Sequence, residues 1–94
     1  MTWIDEEAYQ NMINALNNFV KQVTTQCDII DKAAQDCVDN TDDENVKPSA
    51  DALAGHIKNI KAQFPVVEQV IKALEEQLEK ARDARRKAEA AANQ

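Results

Sequence analysis

The side chains of this chain that could carry chemistry are few, and their spacing gives none of them a partner. His56 is the only histidine, and the positions three and four residues away on either side are Ala52, Leu53, Asn59 and Ile60. A metal ligand set or an acid–base pair on a helix needs a carboxylate, histidine or thiol on the same face, so His56 reads as a surface or boundary residue. Cys27 and Cys37 stand ten residues apart. On one helix, at about 1.5 Å per residue, their Cα atoms are about 15 Å apart, too far for a disulfide. Both read as small apolar packing residues with free thiols, as in a reducing compartment.

The acidic run from Asp36 to Glu44 invites a calcium loop. One starting at Asp39 would need Gly at its sixth position and Glu at its twelfth, where the chain has Glu44 and Ala50. The run therefore reads as a solvated inter-helix loop, and no metal is expected. Arg82, Arg85, Arg86 and Lys87 form a basic cluster, but Glu76 with Lys80, Asp83 with Lys87 and Arg85 with Glu89 are each four residues apart. That spacing makes a salt-bridged exposed helix face rather than a phosphate-binding patch. No nucleophile and base or carboxylate pair can be assembled, so neither an enzyme, a cofactor nor a small-molecule substrate is expected.

These residues sit in a chain of 94 residues with 17 acids, 11 bases and one glycine. The length allows one domain, and the shortage of glycine removes the positive-φ corners that phosphate loops and β-turns draw on. The net charge of −6 is concentrated in residues 1 to 47, which hold ten acids and three bases. Nucleic acid is an unfavourable partner for such a chain. No apolar run is long enough to span a membrane, and the start lacks the pattern of a cleavable signal peptide. A protein folded in the cytoplasm is expected.

The elements follow from apolar spacing. Tyr9, Met12, Leu16, Phe19, Val23, Ile30, Ala33 and Cys37, interrupted at Gln26, alternate three and four apart and predict a helix over about 4–39. Thr2 with Asp5 offers a weak capping box, and Asp5, Glu6 and Glu7 favour the positive end of the helix dipole. Residues 40–49 break the period, with Pro48 as a stop and Ser49 as a new N-cap. The seam resumes at Leu53, Ile57, Ile60, Phe64, Val67, Ile71, Leu74 and Leu78 and predicts a helix over about 50–90, kinked near Pro65. Tyr9 with Ala81, Leu16 with Leu74, Ile30 with Ile60 and Cys37 with Leu53 all have residue numbers summing to 90, and the loop is centred at 45. The fold class expected is all-α: an antiparallel two-helix hairpin.

Two helices touching along one line leave part of a broad stripe uncovered. Ile13, Val20, Cys27 and Ile29 on the first helix and Val66 and Val70 on the second fall outside the seam and are expected to bind a partner. Burying about five such side chains is worth on the order of 1.5 to 3 kcal/mol each before entropy, and small helical domains often gain this by association. A four-helix bundle is expected, either a homodimer or a complex with a helical protein partner. On this register, a charge at Leu16, Phe19, Ile71 or Leu74 unfolds the hairpin, and one at Val20 or Val70 blocks association. Trp3 staples the open end or contacts the partner, and residues 88–94 overhang as a frayed end or a recognition tail.

The layout resembles the small Trp-X-Gly helical hairpins of type VII secretion systems and the related helical partners of LXG toxins. It shares their length, paired helices, acidic character and lack of a signal peptide. At the turn, where that family carries Trp-X-Gly, this chain has Asn45-Val46-Lys47-Pro48. Its only glycine is Gly55, within Leu53-Ala54-Gly55-His56, and its only tyrosine, Tyr9, is followed four residues later by Ile13 rather than the acid of the export signal. The resemblance therefore carries no functional residue across. It implies a non-enzymatic role: pairing with a helical partner or a toxin's N-terminal region, with export that uses no cleavable signal. The alternatives are a self-associating coiled-coil scaffold subunit and a small acidic immunity or regulatory protein, whose acidic first half covers a basic surface.

Overall fold

The computed structural model describes residues 4–93 and is all-helical over them. Its helices are α1 (Glu6–Asp39), α2 (Val46–Lys61) and α3 (Phe64–Ala92). α1 begins where Asp5 can cap it: the Ala8 amide donates to Asp5 Oδ1 at 3.1 Å, with Glu6 and Glu7 in the first turn. Thr2 and Trp3, to which the capping box and the end contact were assigned, lie outside the described residues.

The turn after α1 is made by short polar side chains that bond their own backbone. The Asp43 amide donates to Thr41 Oγ1 (3.1 Å), the Asn45 amide to Asp43 Oδ1 (2.9 Å) and the Val46 amide to the Asp43 carbonyl (3.2 Å). Such bonds offer the chain an alternative to helix. The next helix starts at Val46, earlier than the expected start near residue 50. Pro48 is its third residue, inside the first turn, where amides have no helical partner and none is lost. Ser49, expected as the N-cap, lies within the helix, and its hydroxyl donates back to the Asn45 carbonyl at 3.1 Å.

Where a kink was expected near Pro65, the helix breaks. A proline clashes with the carbonyl four residues earlier and cannot donate to it; for Pro65 that residue is Lys61, the last of α2. The Ala62 and Gln63 amides close a tight turn onto the carbonyls of Lys58 (3.0 Å) and Ile60 (3.1 Å). Pro65 then falls in the first turn of α3, where it is tolerated. Residues 88–92, read as overhang, continue α3.

The chain divides into two compact units, and α1 contributes to both. The terminal unit contains Met1–Asn18 and Val66–Gln94, and the turn unit contains Phe19–Pro65. In the terminal unit Ile13, Ile71 and Leu78 are buried, with Tyr9, Leu16, Val67 and Leu74 packed around them. In the turn unit the buried side chains are Cys27 and Ile57, beside half-buried Val20, Val23, Ala34 and Ala50. The half-buried Thr24 hydroxyl donates to the Val20 carbonyl at 2.7 Å.

The buried line on α3, through Val67, Ile71, Leu74 and Leu78, follows the expected seam. On α1 it does not. Ile13 and Cys27, placed outside the seam by the heptad reading, are buried, whereas the seam residues Met12, Phe19 and Ile30 are exposed. On α2, Leu53 and Ile60 are likewise exposed while Val46, Ala50 and Ile57 face inward.

Candidate protein-binding face

The rotation of the seam has a physical cause that charge placement reveals. At about 100° per residue, the buried line of α1 in the turn unit runs through Val20, Cys27 and Ala34. To one side of it lies Asp28, whose carboxylate accepts from Lys61 Nζ of α2 at 2.9 Å. That hydrogen bond, aided by the charges of Asp28 and Asp31, raises the pKa of Lys61 above its ordinary 10.5. To the other side lie Phe19, Gln22, Gln26, Ile30, Ala33 and Cys37, none of them charged. On α2, Lys61 marks the ion-paired side of the buried line, and Ser49, Leu53, His56 and Ile60 occupy the opposite side, where no Asp, Glu, Lys or Arg stands. Because Asp28 and Lys61 meet, the ion-paired sides of the two helices coincide, and so do the uncharged ones.

A similar division holds over part of the terminal unit. Glu6 and Gln10 of α1 meet Arg82 of α3 at 3.7 and 3.1 Å, and Glu6 also pairs with Arg85 at 3.2 Å. Across the buried line from these contacts stand Met12 and Ala15 on α1 and Val66, Val70, Ala73 and Gln77 on α3, all uncharged. In a chain that is 30% charged, the turn unit thus has one ion-paired flank and one flank without Asp, Glu, Lys or Arg, whereas in the terminal unit Lys80, seven residues after Ala73, stands beside Gln77 at the end of the flank that carries Val66 and Val70. α1's uncharged arc is wide enough to pack by either border. The border next to the charges both buries apolar surface and pairs Asp28 and Glu6, so it forms the core and the other border is left uncovered.

Of the residues expected to bind a partner, Val66 and Val70 are exposed on the uncharged flank, at 57% and 45%. Ile29 is exposed too, but on the far side of α1 from the buried line. Val20 is half-buried, and Ile13 and Cys27 are core residues at 3% and 4% exposure, covered by the chain's own packing. The other large exposed apolar residues are Met12 in the terminal unit and Phe19, Ile30, Leu53 and Ile60 in the turn unit. The signal missed in the sequence was the charge pattern: Lys21, Asp28, Asp31 and Asp39 mark one side of the α1 stripe, so its centre lies between the seam and the adjoining heptad position.

Cys37 is exposed, unlike the packing role read for it, and both cysteines are free. In the basic cluster Lys87 pairs with Asp83 at 3.1 Å as its spacing suggests, Arg86 reaches Glu79 at 3.0 Å, and Arg85 turns to Glu6 instead of Glu89. Among the described residues no helix is long and apolar enough to cross a membrane, and no group of His, Cys, Asp or Glu is gathered as a metal site. No protein family, curated protein or solved structure matches this chain.

Proposed function

We propose that this chain is a non-enzymatic protein-binding subunit, a helical hairpin that lays its uncharged flank against another helical chain to form a four-helix arrangement. The observation that carries the reading is the segregation of exposed apolar residues from Asp, Glu, Lys and Arg in the turn unit. Phe19, Ile30, Leu53 and Ile60 stay accessible there, and Met12, Val66 and Val70 are exposed in the terminal unit, whose flank also carries Lys80. Apolar surface of this kind, cleared of charge, is characteristic of interfaces rather than of solvated monomer surface. The hairpin itself is supported by the cross-helix pairs Asp28 with Lys61, Gln10 with Arg82 and Glu6 with Arg85, whose residue numbers each sum close to 90. The role proposed for the complex is the one implied by the resemblance to type VII hairpins: a partner for a toxin segment, or part of an exported unit.

The test is copurification from cells of tagged wild type, of Ile30→Glu/Ile60→Glu, and of Lys21→Glu as a control on the opposite flank. The expected result is a stoichiometric helical partner, another copy or a different chain, retained by wild type and Lys21→Glu and lost from the double variant. Identical recovery with all three forms, or a lone monomer throughout, overturns the reading.

A further inference from the structure

We draw no further inference here: the strongest candidate, the exposed apolar flank of the turn unit through Phe19, Ile30, Leu53 and Ile60, carries nothing beyond the function proposed above, because nothing in the structure shows which chain covers it.

Discussion

The terminal unit and the turn unit share one continuous helix, yet they bury different things. α3 brings Val67, Ile71, Leu74 and Leu78 to α1 in the terminal unit. In the turn unit the inward line of α2 is Val46, Ala50 and Ile57, with only Ile57 buried, and the ion-paired Lys61 stands to one side of it. Each large side chain fully buried contributes about 1.5–3 kcal/mol, so the terminal unit has the greater cohesion of its own. The turn unit buries Ile57 and half-buries Phe64 but holds Phe19, Ile30, Leu53 and Ile60 on the outside. The contrast teaches that one amphipathic helix can bury its large apolar residues along one stretch and leave them exposed along another, according to what the facing helix offers it.

The strongest way to break this comparison is to place a carboxylate on each side of it. Leu78→Asp puts a charge at a position 2% exposed, at a cost on the order of 4 kcal/mol or more, and loss of the helical circular dichroism signal is expected. Ile60→Asp, at a position 46% exposed, is expected to change the stability of the dilute monomer by about 0.5 kcal/mol or less while removing association. Comparable unfolding by the two substitutions would mean that the turn unit's outer residues are core after all. Phe19 now belongs with Ile60 in this experiment, and Val20 with the interior, the reverse of what the heptad pattern alone suggests. A smaller contrast of the same kind lies within the turn unit. Cys27→Ser leaves a hydroxyl at a buried position and is expected to cost about 1–3 kcal/mol, against about 0.5 kcal/mol or less for Cys37→Ser, read from thermal melts at low concentration.

What the sequence disclosed and what it hid follow from the same residues. Helical class was legible because three-and-four spacing is imposed by the 3.6-residue turn and is hard to disguise. The α3 line was legible because Glu75, Glu76, Glu79 and Asp83 hem in its apolar residues. α1 was not, because its uncharged arc covers Met12, Phe19 and Ile30 as well as Ile13, Val20 and Cys27, and spacing cannot choose between two borders of one arc. Only a contact from another part of the chain, Asp28 to Lys61 or Glu6 to Arg82, makes the choice. The break before Pro65 was hidden for a related reason: the apolar phase runs through Ile60, Phe64 and Val67 without a slip, whereas the clash with the Lys61 carbonyl is a backbone event that side-chain pattern does not record.

Two weaker perturbations sharpen the comparison by acting on one unit at a time. Asp5→Ala removes the cap on the Ala8 amide and is expected to cost about 1 kcal/mol, read as faster hydrogen exchange in the first turn of α1 with little change in the turn unit. The smallest effect expected is alkaline. The Lys61 pKa is raised in the folded chain by its hydrogen bond to Asp28, so the folded form holds that proton more tightly than the unfolded form. The stability this contributes is present in full below the ordinary 10.5 and is lost as pH rises through the higher folded value. Both partners are solvent-accessible, so the contribution is small and salt weakens it further. In the terminal unit the cross-helix pairs to Glu6 are made by Arg82 and Arg85, with no lysine among them. Raising the pH past 10.5 should therefore speed amide exchange around Lys61 and Asp28 before it affects Glu6 and Arg82, and Lys61→Met should abolish that difference. Equal loosening of both units in wild type would show that Asp28–Lys61 does not hold the turn unit's ion-paired flank closed.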